Sequence, residues 1–175
     1  EAVRVAYEEN SKVEEDWESL ARHEDWHIRR LVAEQGKCLE TLIKDPHPCV
    51  RTAVAKQGYG LDILVNDPHW RVRVAVAKQG YGLDILIKDP GWGVRYTVAK
   101  QGYGLNILVN DPVWLIRDAV AYQGYGLNIL VNDPEWEIRY TVAKQGYGLD
   151  ILANDSYQRV KTMAQEMLAK RSIAI

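Results

Sequence analysis

The feature that most constrains this chain is a period of 22 residues. The segment DPHWRVRVAVAKQGYGLDILIK (67–88) returns as DPGWGVRYTVAKQGYGLNILVN (89–110), DPVWLIRDAVAYQGYGLNILVN (111–132) and DPEWEIRYTVAKQGYGLDILAN (133–154). DPHPCVRTAVAKQGYGLDILVN (45–66) fits the same frame, and HEDWHIRRLVAEQGKCLETLIK (23–44) fits it more loosely. A fixed period without insertions signals a solenoid, because a unit this short buries its apolar face only by stacking on its neighbours. The expected organisation is one continuous domain. Residues 1–22 form an N-terminal capping region, 23–154 hold six repeats, and 155–175 form a C-terminal capping helix.

Each unit reads as two helices. Asp at unit position 1 predicts an N-cap with Pro at the first helical position. Gly at position 14 predicts the left-handed residue that ends the helix. Helix starts are therefore expected near Asp45, Asp67, Asp89, Asp111 and Asp133, and stops at glycines 58, 80, 102, 124 and 146. Leu at position 17 opens a second, very short helix, 3₁₀ in part. Nothing alternates with the period of a strand. The fold class is thus all-α, without a sheet. At about 100° per residue, positions 6, 9, 10 and 13 share the core face. Positions 4, 7 and 11 (Trp, Arg, Ala) make a second stripe, and positions 5, 8 and 12 a third, which varies from unit to unit.

Two polar columns stay constant. Gln35, Gln57, Gln79, Gln101, Gln123 and Gln145 are expected toward the core, bonding groups of the turn that would otherwise lie unpaired. Arg29, Arg51, Arg73, Arg95, Arg117 and Arg139 lie six residues after their own cap residue, so a neighbouring unit is the better partner. They predict a structural ladder to the aspartates or carbonyls of adjacent units. A sixfold arrangement argues for glue, since a catalytic group is needed once.

The run D-P-x-W-x-[VI]-R-x-[AT]-V-A, followed by a Gly turn and L-x-x-L, resembles the leucine-rich repeat variant family over about 132 residues, six units of 22. That resemblance implies a right-handed superhelix of alternating α-helices and short 3₁₀-type helices. The D-P-x-x-x-V-R signature is also similar to HEAT repeats, but those need two full helices and roughly 40 residues per unit. Some members of the variant family carry a cysteine-rich iron–sulfur region before the repeats. This chain departs from them: Cys38 and Cys49 are its two cysteines, too few for a cluster, and both read as free thiols. No cofactor is inferred.

One five-residue stretch suggests chemistry. His23-Glu24-Asp25-Trp26-His27 matches H-E-x-x-H, two zinc ligands one helical turn apart with a glutamate as general base. In the repeat frame, however, His23 stands in the Asp column, Glu24 in the Pro column, and Trp26 in the Trp column. His23 and His27 are therefore weak metal candidates in a drifted first unit, although Glu24 for Pro could let a longer helix run through.

The Trp column (Trp26, Trp70, Trp92, Trp114, Trp136) reads as inter-unit packing against the neighbour's Pro or Gly-Tyr-Gly turn, with a stacking platform for sugars or bases as the alternative. The Tyr column (Tyr59, Tyr81, Tyr103, Tyr125, Tyr147) reads as turn packing. Lys56, Lys78, Lys100 and Lys144 occupy the last helical turn, where the macrodipole favours a cation; they could otherwise meet phosphates. A net charge of -2 argues against a dedicated nucleic-acid surface. No apolar run nears the roughly 18 residues that span a membrane. The chain shows no signal-peptide pattern and lacks an initiator Met, as a processed or trimmed piece would; a cytoplasmic monomer is expected.

Function is expected on the variable stripe. Its candidate binding residues are Arg71, Val74, Tyr96, Lys100, Leu115, Tyr122, Tyr140 and Lys144. Val74, Tyr96 and Tyr140 share position 8, a line interrupted by Asp118. Exposed aromatics beside Arg and Lys have the composition of an interface centre. The reading is a non-enzymatic scaffold that binds a protein or extended peptide. The alternatives are a nucleic-acid binder using the Lys column, and a zinc hydrolase through His23 and His27.

Overall fold

The computed structural model describes residues 16–173 and divides into two compact bodies, one ending at Gly82 and the other starting at Leu83. Every regular element among the described residues is helical. The first body contains α1 (Trp17–Leu20), α2 (Trp26–Glu34), α3 (Leu39–Leu42), α4 (Pro48–Lys56), α5 (Leu61–Leu64) and α6 (Trp70–Lys78). The second contains α7 (Leu83–Leu86), α8 (Trp92–Lys100), α9 (Leu105–Leu108), α10 (Trp114–Tyr122), α11 (Leu127–Leu130), α12 (Trp136–Lys144), α13 (Leu149–Leu152) and α14 (Gln158–Ile173). Within each body the long helices stack on their sequence neighbours: α2 on α4 on α6, and α8 on α10 on α12 on α14. This is a helical repeat solenoid with a 22-residue unit.

The long helices stop where the glycines predict. Gly58, Gly102, Gly124 and Gly146 have φ between 72° and 74°, one residue beyond a Gln C-cap. They start later than the Asp–Pro pairs predict. The repeat helices begin at position 4, and position 3 is the N-cap: His47, His69, Gly91, Val113 and Glu135. The Asp folds a turn ahead of the helix instead. Its Oδ1 accepts the N–H two residues on, from His47 to Asp45 at 2.8 Å and from Val113 to Asp111 at 2.9 Å. The carboxylate is then free to serve the unit before it.

The short helices combine both bond types. Leu64 N–H donates to Gly60 O in α-fashion at 3.0 Å, and Ile63 N–H donates to the same oxygen at 3.1 Å. The short helices from α5 onward are each opened by a second left-handed glycine, Gly60, Gly82, Gly104, Gly126 or Gly148. A Cβ on Gly104 (φ +60°) would overlap the Ile87 side chain beneath it, so this glycine is required twice over. Cys38 occupies the same column with φ 49°. In that register the residue beneath is Ala21 rather than Ile or Val, which leaves room for a Cβ.

The core differs from the expected wheel in two columns. Val72, Val94, Ile116 and Ile138 at position 6 and Val76, Val98, Val120 and Val142 at position 10 are fully buried, as are Ala55, Ala77, Ala99, Ala121 and Ala143 at position 11. A long helix between two neighbours buries an arc wider than one stripe, so position 11 joins the core. The Gln column leaves it. Gln57, Gln79, Gln101, Gln123 and Gln145 are exposed C-caps, where helical periodicity has ended. Gln57 Nε2 donates to Glu34 O at 2.9 Å and Gln145 Nε2 to Tyr122 O at 3.1 Å. Each thus satisfies an orphan carbonyl at the end of the preceding helix.

The two ends of the chain modify the unit. Residues 1–15, with the acidic Glu8, Glu9, Glu14 and Glu15, lie outside the described residues. From Asp16 the repeat frame is already running: Trp17–Leu20 stands in the short-helix column, with Asp16 Oδ1 accepting from Ser19 N–H. At the other end, Leu168 replaces the glycine stop, and α14 runs 16 residues.

Candidate binding site

The arginine column forms an inter-unit lattice within each body. Arg51 donates from Nε to Asp67 Oδ2 at 2.6 Å and from Nη2 to Asp67 Oδ1 at 2.9 Å, a forked pair. Its Nη1 reaches back to Asp45 O at 2.7 Å and to Pro46 O at 3.1 Å. Arg29 with Asp45, Arg95 with Asp111, Arg117 with Asp133 and Arg139 with Asp155 repeat the geometry. Arg73 makes the same backward bond, from Nη1 to Asp67 O at 2.7 Å. Asp89 folds the same turn, accepting Gly91 N–H at 2.7 Å. The paired carboxylates are nearly inaccessible, with side chains 3–6% exposed. Hydrogen bonding to the carboxylate raises the pKa of Arg51, Arg95, Arg117 and Arg139 further, and Arg139 holds the Asp155 carboxyl below its ordinary value. In the five forked pairs of Arg29, Arg51, Arg95, Arg117 and Arg139, the guanidinium donors are spent on carboxylate and carbonyls within the scaffold.

The HEDWH stretch does not form a helical metal site. α2 begins at Trp26, as in the other units, so Glu24 for Pro does not lengthen the helix. His23 lies before the helix, and its Nδ1 accepts Asp25 N–H at 3.0 Å. His27 Nδ1 lies 2.8 Å from Asp25 Oδ1. Trp26 is sandwiched between the rings of His27 and His47, with centroids 3.7 and 3.9 Å away. Among the described residues no group of three His, Cys, Asp or Glu side chains could hold a metal ion. Cys38 and Cys49 are free thiols. Burial, then the neighbouring Glu18, pushes the Cys38 thiol pKa up.

The Trp column follows a rule the sequence did not suggest. Its exposure tracks the position-3 residue of the next unit. Where that residue is aromatic, the indole is covered: Trp26 stacks on His47, and Trp136 on Tyr157 at 4.3 Å. Where it is Val113 or Glu135, the preceding Trp92 and Trp114 remain 53% and 38% exposed. The Tyr column is also outward, at 40–43% exposure. A further apolar column, Ile85, Ile107, Ile129 and Ile151 on the short helices of the second body, is exposed by about half.

The second body carries a groove of about 740 Å³ on the variable stripe. From α10 come Trp114, Leu115 and Asp118, and from α12 come Trp136, Glu137, Tyr140 and Thr141. The far wall is α14, with Arg159, Thr162, Met163 and Glu166. Thr141 Oγ1 donates to Asp118 Oδ1 at 2.6 Å and ties α12 to α10 across the floor. The Arg159 guanidinium lies 5.7 Å from the Trp136 ring, and Lys144 Nζ lies 5.9 Å from Tyr140.

Of the residues expected to bind, the groove brings together Leu115 and Tyr140. Tyr96, Lys100, Tyr122 and Lys144 belong to the same body but do not line it. Arg71 and Val74 lie in the other body, where Arg71 sits 5.3 Å from its own neighbour Trp70. Asp118 belongs to the groove floor instead of interrupting a line. The sequence does not single out the α14 wall, because the end of the chain reads as a cap. The signal was present in the frame, since Arg159, Thr162 and Glu166 occupy positions 5, 8 and 12.

No protein-family model and no curated protein sequence matches the chain. The fold and site define a helical repeat protein. Among the described residues, no helix is long and apolar enough to cross a membrane.

Proposed function

We propose that this chain is a non-enzymatic repeat scaffold of the leucine-rich repeat variant kind, which binds an extended protein segment along the variable stripe of its long helices. One observation supports this reading above the rest: the groove over α10, α12 and α14 sets variable residues, Leu115, Asp118, Glu137, Tyr140 and Arg159, beside two members of the constant Trp column, while the constant Val, Ala and Arg columns are consumed by core and lattice. Its open tryptophan, with Leu115 and Tyr140 beside charged walls, suits a peptide held by a few buried anchors.

The test is a library of extended peptides screened against the full chain, with each binder measured again on Leu115→Glu. Binders that lose about tenfold or more in affinity on this variant support the reading. Binders indifferent to Leu115→Glu would move the site elsewhere. Oligonucleotide binding that collapses as salt rises would instead assign the surface to the Lys column.

A further inference from the structure

The groove has a chemical preference that follows from one offset in the repeat frame. Within it, Trp136 at position 4 of its unit is faced by Arg159 at position 5 of the next, 5.7 Å from the ring. One unit earlier, Trp114 holds the corresponding place, and the residue at position 5 of the next unit is Glu137. By repeat position Glu137 is to Trp114 what Arg159 is to Trp136, and both Glu137 and Trp114 line the groove. Trp114 is also the less covered of the two, since Glu135 replaces the aromatic that stacks on Trp136. The remaining lining charges are Asp118 and Glu166, so three carboxylates face one guanidinium.

We propose that the Trp114–Glu137 half of the groove takes the guanidinium of an arginine in a partner protein segment. This rests on the peptide-binding reading above and names the anchor it recognises. An indole face attracts a cation, most strongly where water is displaced. A carboxylate beside it accepts the planar fork in two parallel hydrogen bonds. Arginine fits this pair better than lysine because it stacks and forks at once. The chain's own Arg159 on Trp136 is the internal precedent for the contact.

The full chain is labelled at its indole nitrogens, and the Trp114 and Trp136 resonances are assigned with Trp114→Phe and Trp136→Phe. The probes are acetyl-Gly-Ser-Arg-Gly-Ser-amide and the same peptide with Lys, Leu or Glu in place of Arg. The Arg peptide should shift Trp114 saturably and bind about tenfold tighter than the Leu peptide, with Glu weakest. Glu137→Arg places a cation on Trp114 from within and should abolish the Trp114 response to the Arg peptide. Its melting curve is measured alongside, and Glu137→Gln should weaken binding in the same direction should Glu137→Arg fail to fold. Equal binding of the Arg and Leu peptides at Trp114, unaffected by Glu137→Gln, would overturn the arginine preference while leaving a peptide groove standing. Shifts spread equally over Trp70, Trp92 and Trp114 would reduce the effect to diffuse charge attraction and overturn the proposal. Absence of any response at Trp114 would do so as well.

Discussion

The second body has two charged edges along its long helices. Along the lattice edge, Arg95 spends its donors on Asp111 and on the carbonyls of Asp89 and Pro90, and Asp111 is nearly inaccessible. Along the groove edge, Glu137 and Glu166 face a concavity beside an open indole. Charge alone does not separate the two edges, since both carry acidic and basic groups. Completeness separates them. A forked pair with its carboxylate also bonded to backbone is closed, whereas a carboxylate at the repeat position where the next unit has a cation is open.

The sharpest way to break this contrast is to remove a lattice arginine. Arg95→Ala should cost about 3–5 kcal/mol in unfolding free energy, because it strands the Asp111 carboxylate in a dry site. Arg95→Lys should recover only part of the loss, since an ammonium cannot fork. A denaturation midpoint within error of the parent for Arg95→Ala would mean that the lattice is ornamental.

Next in size is the turn beneath the lattice. Gly104→Ala should lose about 1–2 kcal/mol for its left-handed backbone and about 1–3 kcal/mol more for overlap with Ile87. Gly102→Ala, with nothing within 4 Å of a Cβ, should lose only the first part. Combining Gly104→Ala with Ile87→Ala should show a favourable coupling, as the natural pair of Cys38 over Ala21 implies. Strict additivity would contradict the proposed register.

The lattice also predicts an acid limb. Asp155 has its carboxyl held below the ordinary value, chiefly by the Arg139 hydrogen bond. The unfolded chain therefore takes up the proton first as pH falls. The stabilisation is fully present above the unfolded value of about 3.9 and disappears as pH falls through the lower folded value. Asp155→Asn should flatten the decline of the unfolding midpoint across that window. An equally steep decline would place the acid sensitivity on other carboxylates.

The smallest expected effects lie on open edges. Glu137→Gln and Arg71→Ala should each change stability by no more than about 0.5 kcal/mol. A loss several times larger for Glu137→Gln would show that this carboxylate belongs to the scaffold, and would remove the basis for calling the groove edge open.

The strength of repetition and the weakness of a helical wheel explain what could be read in advance. Gly58 and its equivalents mark the helix ends, because a left-handed φ is a local demand. The helix starts escaped because Asp45 has two tasks. Its pull toward Arg29 of the preceding unit, together with the turn it folds onto His47 N–H, displaces the cap to position 3. Gln57 was misplaced because a wheel drawn to position 13 continues a helix that has already ended.

By itself the sequence determined the unit: its length, its helical class, its stops, and the columns that cannot vary without a neighbour changing too. These follow from local backbone preference and from the period, both of which are properties of the linear chain. Tertiary structure decided which columns face a neighbour on both sides, so that Ala99 is buried and Gln101 is not. It also decided that Leu115, Glu137 and Arg159, each 22 residues from the next, become three walls of one groove. Stacking converts a period in sequence into proximity in space, and which faces it leaves uncovered depends on side-chain volumes that only the packed units compare.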